Sequence, residues 1–244
     1  MHLATERLLI RDIVPEDEKQ AVKVKKLLIF DLDGTILNTL DDLADSTNYA
    51  LRKHGLPERT LTEVRAFVGN GIGKLIERAV PEDCSEAVRK SVLESFSAHY
   101  KDHSADKTRP YDGMLEVLKE LKELGCQMAV VSNKADFAVH SLCEHYFPGI
   151  FTFVIGEQEG IRRKPAPDSV YAVLERLNTE KKDAVYIGDS EVDAMTAQNA
   201  GVDLIAVEWG FRDREVLEAK GAKVILKTPK EILSTLQRAD EIFG

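Results

Sequence analysis

The 244-residue sequence contains only three cysteines, Cys84, Cys126 and Cys143, and no two of them form a C-x-x-C pair. That spacing is typical of structural zinc sites and of thiol redox centres. Its absence argues against both kinds of site. The sequence therefore predicts free thiols that pack as small apolar side chains.

Long apolar runs are also missing. The longest stretch without a charged residue is the twelve residues His145 to Gly156, which include proline and glycine. A membrane-spanning helix needs about 20 apolar residues. Near the N-terminus, residues 8–10 follow Glu6 and Arg7 and are too short for the apolar core of a secretory signal, about 7–15 residues. We therefore expect a cytoplasmic protein with no membrane partner.

Basic clusters are scarce, since the sequence has no block of five like charges and carries a net charge of −9. A protein with this charge is repelled by the phosphate backbone of nucleic acids, so we expect no nucleic-acid partner. The composition, 43% hydrophobic and 31% charged, is close to that of ordinary globular proteins and predicts a folded core. The sequence makes no prediction about oligomeric state.

Short apolar runs rich in valine, isoleucine and phenylalanine alternate with amphipathic helical patterns. Six such runs predict buried parallel strands: residues 27–30, 128–131, 151–155, 184–187, 204–207 and 223–226. Helices are predicted between them at residues 114–124, 169–177, 193–200 and 230–242. This alternation is typical of an α/β fold, and it predicts a doubly wound, mostly parallel Rossmann-like sheet.

The first two predicted strands are separated by far more residues than a single crossover helix requires. This interval contains amphipathic patterns at 40–54, 72–80 and 86–101, and Thr60-x-x-Glu63 has the spacing of a capping box. The sequence thus predicts a catalytic core of residues 27–40 and 110–244 with an inserted helical cap of residues 41–109.

Residues 1–26 form an N-terminal extension to which the sequence assigns no role. Residues 5–17 of it resemble the first strand and turn of acetyl-CoA-dependent N-acetyltransferases, but the remainder of such a domain is missing. We expect residues 1–22 to be dispensable for catalysis, because every candidate site residue follows them.

Two clusters of carboxylates follow predicted strands. Asp31 and Asp33 come directly after the first strand, and Asp189 and Asp193 follow the strand at 184–187. Buried carboxylates repel one another unless a cation or hydrogen bonds compensate them, so the clusters predict a hard cation with oxygen ligands. Asp189 and Asp193 also fit an N-terminal helix cap. A calcium EF-hand starting at Asp31 is excluded, since its sixth position is not glycine and its twelfth is not glutamate.

Ser132, Asn133 and Lys164 also follow predicted strands. Each of them alone is typical of an ordinary turn or a solvated surface. In an open α/β sheet, however, ligands bind at the carboxyl ends of the strands, where these residues join the four carboxylates. A hydroxyl, an amide and an amine placed together there suit a phosphate group.

Gly69, Asn70 and Gly71 precede the predicted helix at 72–80 and match neither a P-loop nor a dinucleotide fingerprint. Two interpretations stay open. The segment is either a plain loop or a substrate loop whose backbone N–H groups face an anion, with Lys74 adding a charge.

Taken in order, D-x-D-G-T at 31–35, Ser132, Lys164 and G-D-S-x-x-D at 188–193 resemble the four motifs of the haloacid dehalogenase-like superfamily. The resemblance covers residues 27 to about 240. Residues 68–71, V-G-N-G, and 209–212, W-G-F-R, are similar to phosphoglycolate phosphatases within that superfamily.

The resemblance implies a Mg²⁺-dependent phosphomonoester hydrolase. In such an enzyme Asp31 attacks phosphorus to form an aspartyl-phosphate, and Asp33 acts as general acid and base. Asp31, the carbonyl of Asp33 and Asp189 would hold Mg²⁺, with Asp193 orienting the metal shell. The phosphate would be bound by Ser132, Asn133 and Lys164.

The resemblance also implies a small phosphorylated metabolite as partner, with 2-phosphoglycolate as the substrate and Gly69, Asn70 and Gly71 near its carboxylate. A sugar-phosphate mutase and a pyrophosphatase are the alternatives within the superfamily. A catalytically silent binding protein that kept the fold is the alternative from another class.

Overall fold

The computed structural model describes residues 25–243, so that most of the N-terminal extension lies outside the described residues. A six-stranded sheet organises this part of the chain. From one edge to the other it consists of β5 (Phe153–Glu157), β4 (Gln127–Ala135), β1 (Leu27–Phe30), β6 (Ala184–Gly188), β7 (Asp203–Val207) and β8 (Ile225–Leu226). Every neighbouring pair is parallel. The predicted α/β fold is confirmed.

Helices cover both faces of the sheet. They are α5 (Met114–Glu123), α6 (Asp136–Tyr146), α7 (Asp168–Arg176), α8 (Glu191–Ala200), α9 (Arg214–Ala219), α10 (Glu231–Gln237) and α11 (Ala239–Phe243). Leu28 and Phe30 pack with residues of α5, α6 and α10, whereas Leu27 and Ile29 pack with residues of α7 and α8. Successive side chains of a strand point to opposite faces, so β1 contributes to both cores.

Four helices lie between β1 and α5, namely α1 (Leu40–Lys53), α2 (Leu61–Phe67), α3 (Ile72–Ala79) and α4 (Glu86–His103). We call residues 40–103 the helical unit. It has a separate apolar core, in which Leu51, Leu75 and Phe96 are almost fully buried. The capping box at Thr60 and Glu63 is present, with both reciprocal backbone hydrogen bonds formed. This cap starts α2.

A short antiparallel pair joins the two connections between the sheet and the helical unit. It consists of β2 (Leu37–Asn38) and β3 (Arg109–Pro110), with Leu37 opposite Pro110. Because the chain leaves and re-enters the core side by side, the helical unit lies next to the carboxyl end of β1. The two-residue strands are too short to produce a detectable pattern in the sequence.

The structure differs from the sequence prediction in three further places. Strand β4 continues to Ala135, with an irregular register after Val131. The predicted helix at 230–242 is divided into α10 and α11 near Arg238. Helices α6 and α9 were not predicted. Among residues 25–243, no helix combines the length and the apolar character required to cross a bilayer.

Candidate active site

Asp31 lies where β1 ends, and its backbone N–H donates to the carbonyl of Ile187 on β6. Its carboxylate receives two contacts on the same oxygen. The N–H of Leu32 donates to Oδ1 at 2.7 Å, and Nζ of Lys164 lies 2.9 Å from Oδ1. Among the described residues no donor bonds Oδ2. That oxygen is therefore available to a ligand.

Asp31, Asp189 and Asp193 form a buried group in which one carboxylate oxygen from each residue lies within 4.8 Å of the other two. Burial raises the pKa of Asp31 well above its usual range, and Lys164 offsets only part of this effect. Burial and the nearby Asp193 likewise raise the pKa of Asp189 to about 7. Three crowded carboxylates are the donor set that a hard cation stabilises. The site can therefore hold a metal ion.

Asp189 is held by two hydrogen bonds. Thr35 Oγ1 donates to Oδ1 at 2.9 Å, and the backbone N–H of Phe211 donates to Oδ2 at 2.7 Å. Two glycines make this packing possible, because a Cβ on Gly34 or Gly210 would lie less than 2.6 Å from Asp189 Oδ2. The position of Asp189 thus depends on close backbone contact from two loops.

Asp193 is already saturated with hydrogen-bond donors. Its Oδ1 accepts from Lys164 Nζ at 2.7 Å and from the Tyr186 hydroxyl at 3.1 Å. Its Oδ2 accepts from the N–H and the hydroxyl of Ser190, which completes a capping box at the start of α8. Both interpretations of this residue from the sequence therefore have a structural counterpart, since Asp193 caps a helix and also contacts the site.

Lys164 is almost fully buried between two carboxylates. Its Nζ lies 2.9 Å from Asp31 Oδ1, 2.7 Å from Asp193 Oδ1 and 3.0 Å from the Tyr186 hydroxyl. Burial lowers the pKa of Lys164, but the charges of Asp193 and Asp31 outweigh it, and the pKa is raised well above its usual value. Lys164 is therefore a fixed positive charge.

Asn133 links three parts of the site. Its Oδ1 accepts from the N–H of Lys164 at 2.8 Å, and its Nδ2 donates to the Lys164 carbonyl at 3.0 Å and to the Gly69 carbonyl at 3.4 Å. Ser132 Oγ accepts from the N–H of Lys134 at 3.2 Å, so its own proton is available to an anion. Asn133 thus orients the loop of Lys164, and Ser132 is placed to contact a ligand.

Lys134 is a further residue of the site, not predicted from the sequence, and it is only 8% exposed. Its Nζ lies 2.9 and 3.2 Å from the two oxygens of Asp33 and 2.7 Å from the hydroxyl of Tyr100 on α4. Burial lowers the pKa of Lys134, but Asp33 and Tyr100 raise it further than burial lowers it. The available signal was a lysine directly after Ser132 and Asn133, at the end of an apolar strand.

A cleft lies between these residues and the helical unit. Its lining on the core side consists of Asp31, Asp33, Ser132, Asn133, Lys134 and Lys164. The opposite side consists of Leu43, Val68, Gly69, Gly71, Ile72 and Leu75. The helical unit therefore covers the polar groups with an almost entirely apolar surface.

The glycine segment has a left-handed backbone, with φ of 122° at Gly69 and 81° at Gly71, where α3 begins. Gly69 and Gly71 line the cleft, whereas Asn70 is not part of its lining. Lys74 pairs instead with Glu77 at 2.7 Å, with both side chains about half exposed. Lys74 thus lies outside the cleft.

Comparison with known proteins adds independent information. Residues 28–207 match the family model of haloacid dehalogenase-like hydrolases. A phosphoglycolate phosphatase of Pseudomonas syringae pv. tomato is 32% identical over 212 residues, which cover 84% of this chain and 78% of the relative. The phosphoglycolate phosphatase of Mesorhizobium japonicum is 32% identical over 207 residues, 82% of this chain and 90% of the relative.

Among solved structures, a candidate phosphoglycolate phosphatase from Lactobacillus delbrueckii subsp. bulgaricus superposes with a TM-score of 0.83 at 38% sequence identity. The match covers 88% of this chain and 98% of that protein. The similarity extends over the sheet and the helical unit together, since a match of this extent cannot omit either.

Proposed function

The chain belongs to the haloacid dehalogenase-like hydrolases, and we propose that it is a Mg²⁺-dependent phosphatase that hydrolyses 2-phosphoglycolate through an aspartyl-phosphate. One observation carries the proposal. The cleft brings together a carboxylate with an unbonded oxygen and a second carboxylate after β1, a buried lysine at the end of β4 and another in the loop after β5. The curated relatives described above, which are phosphoglycolate phosphatases, support the choice of substrate.

In the proposed reaction, Asp31 Oδ2 attacks phosphorus while the bond from phosphorus to the ester oxygen breaks. Asp33 gives its proton to the departing alkoxide, and glycolate leaves. Asp33 then takes a proton from water, which attacks phosphorus and releases phosphate and free Asp31. Splitting one difficult displacement into two easier ones is the advantage of a covalent intermediate.

Asp31, Asp189 and the backbone carbonyl of Asp33 would hold the metal. Bound Mg²⁺ would neutralise the repulsion between the attacking carboxylate and the phosphate dianion. The oxygens of Asp193 already accept four hydrogen bonds, one of which comes from Lys164. Asp193 therefore acts by orienting the groups around the metal and not as a direct ligand. Lys164 and the Ser132 hydroxyl bind phosphoryl oxygens, and Asn133 orients the Lys164 loop.

We also propose that residues 41–109 act as a cap. Closure over the core would exclude water from the ester, which strengthens each electrostatic contact inside the cleft. The loop at Gly69, Asn70 and Gly71 would supply N–H donors near the substrate carboxylate. The contact from Asn133 Nδ2 to the Gly69 carbonyl holds this loop against the core.

A phosphate-release screen of the purified protein tests the function. The panel includes phosphoglycolate, sugar phosphates, nucleotides, p-nitrophenyl phosphate and pyrophosphate, and we expect phosphoglycolate to give the highest kcat/KM. Faster pyrophosphate cleavage would favour a pyrophosphatase. Isomerised sugar phosphate without phosphate release would favour a mutase. No turnover of any compound would favour a binding protein.

Metal removal is expected to abolish this activity. Without a cation, Asp31 and Asp189 tend to hold protons because burial raises their pKa, and a protonated Asp31 is a poor nucleophile. Treatment with EDTA should therefore stop phosphate release, and excess Mg²⁺ should restore it. Full activity of extensively chelated protein would contradict the metal assignment.

Replacing Gly71 by valine is expected to lower kcat/KM for phosphoglycolate more than for p-nitrophenyl phosphate, because only the former has a second anion to place against the loop. Gly55→Val is the matched control, since Gly55 also has a positive φ, of 67°, but has no neighbour within 4 Å of an added Cβ. An equal loss for both substrates in Gly71→Val would mean that the loop has only a structural role.

A further inference from the structure

We propose that Lys134, oriented by Tyr100, binds the second anionic group of the substrate, so that the site selects short phosphomonoesters with a carboxylate close to the ester. This inference rests on the proposed phosphatase function and assigns the part of the cleft that distinguishes substrates. The residues that bind phosphate do not explain such a choice, because every phosphomonoester carries the phosphate.

The proposal rests on the positively charged side chains that line the cleft. Two cations line it, Lys134 and Lys164. Lys164 is enclosed by Asp31 and Asp193, where the transferred phosphate would lie. A carboxylate that enters the cleft therefore has Lys134 as the remaining ammonium among the lining residues. The apolar side of the cleft offers no cation, and burying an unpaired carboxylate there would be strongly unfavourable.

Arg212, beside Gly69, is engaged with Glu191 and with the carbonyls of Arg65 and Val68, and two other nearby cations are also occupied elsewhere. Lys74 pairs with Glu77 at the exposed surface of α3. Arg163 lies beside Gly71, but its guanidinium pairs with Glu157 at 2.9 Å and is about half exposed. Neither side chain lines the cleft. A charge at either position would also be weakened by solvent.

The contacts of Lys134 explain how it could accept a ligand. Its Nζ has three contacts, two to Asp33 and one to Tyr100, which match the three protons of an ammonium group. A substrate carboxylate could take one of the protons now directed at Asp33. The hydroxyl of Tyr100 would keep the ammonium in place during this exchange.

Tyr100 is suited to this positioning role. It is 7% exposed, and its ring stacks on Phe96 in the core of the helical unit. The Tyr100 hydroxyl therefore connects the helical unit directly to Lys134 of the core. Proper placement of the cation thus depends on where the helical unit lies.

The test compares phosphoglycolate with its amide, an analogue of the same shape that keeps the phosphate but lacks the carboxylate charge, on purified full-length protein with Mg²⁺. Wild-type protein is expected to prefer phosphoglycolate about 100-fold in kcat/KM, the effect of one desolvated charge pair. Lys134→Met should remove this preference. Tyr100→Phe, which keeps the stacked ring, should reduce the preference about 10-fold through a higher KM for phosphoglycolate.

Arg163→Met is the matched control, since it removes a cation beside the cleft that does not line it, and the preference should stay at the wild-type level. The thermal transition of each variant establishes that it is folded. If Lys134→Met is not folded, Tyr100→Phe carries the test.

Equal losses for both substrates in Lys134→Met and Tyr100→Phe would overturn the inference, because Lys134 would then act only through Asp33. Wild-type protein that hydrolyses both compounds equally would also overturn it, while phosphatase function would stand. If neither compound is hydrolysed, the proposed function fails and the inference fails with it.

Discussion

Asp31→Asn is expected to lower kcat by about 10⁴-fold or more, because the amide has nearly the shape of the carboxylate but cannot form the acyl phosphate. The substitution should slow the chemical step and leave the fold intact. Asn can still accept the hydrogen bonds that Leu32 and Lys164 donate to Oδ1 of Asp31. The measurement is single-turnover phosphate release at saturating substrate, with the thermal transition recorded in parallel.

Stability gives a second readout for this variant. Burial raises the pKa of Asp31, so that without a metal its carboxyl tends to hold a proton and the uncharged amide resembles it closely, while Lys164 keeps its contact with Asp193. The thermal transition should therefore stay unchanged or rise slightly in metal-free buffer. Asp45→Asn is the control, since Asp45 is about half exposed, pairs with Lys107 and does not line the cleft. Turnover of Asp31→Asn near the wild-type rate would exclude Asp31 as the nucleophile.

The sheet was predictable because its strands are buried on both faces. Residues 27–30 and 184–187 are apolar at every position. They lack the alternation of apolar and polar residues that is typical of a strand with one face exposed to solvent. All six predicted strands are present in the sheet, with bounds shifted by a few residues. The motif carboxylates follow such strands, and therefore their convergence at one edge could also be predicted.

The contacts across the cleft could not be predicted in the same way. Tyr100 lies on a helix whose sequence pattern marks it only as an amphipathic core residue, and its partner Lys134 is 34 residues away. Lys134 belongs to no sequence motif with a characteristic spacing. It reaches Asp33 because the register of β4 becomes irregular after Val131. Sequence periodicity specifies which residues are buried, but it does not specify which polar atoms meet inside.

The surroundings of Asp189 show the same limit. Thr35 and Phe211 hold its carboxylate from two loops that are 176 positions apart in the sequence, and glycines on both loops permit the approach. The resemblance of residues 209–212 to related phosphatases indicated that this loop mattered. The structure shows that this loop delivers a backbone N–H to Asp189.

Gly210→Ala is therefore expected to inactivate the protein although it adds a single methyl group. The new Cβ would lie 2.3 Å from Asp189 Cβ, 2.5 Å from Asp189 Oδ2 and 2.4 Å from the Gly34 carbonyl oxygen. The Gly34 carbonyl belongs to the backbone and cannot rotate away as a side chain can. Asp189 must then move out of the carboxylate group, which removes a proposed metal ligand. Overpacking of this kind typically costs about 1–3 kcal/mol of stability.

We expect Gly210→Ala to lower kcat/KM at least about 10³-fold at low Mg²⁺ and to raise the Mg²⁺ concentration required for half-maximal activity. Gly73→Ala is the matched control, since an added Cβ on Gly73 has no neighbour within 4 Å and the residue lies inside α3. That variant should keep wild-type activity and gain about 0.5–1 kcal/mol of stability from its higher helix propensity. The added methyl group overlaps the observed position of Asp189, so its carboxylate must move in Gly210→Ala. An unchanged Mg²⁺ requirement in this variant would therefore show that Asp189 does not hold the metal.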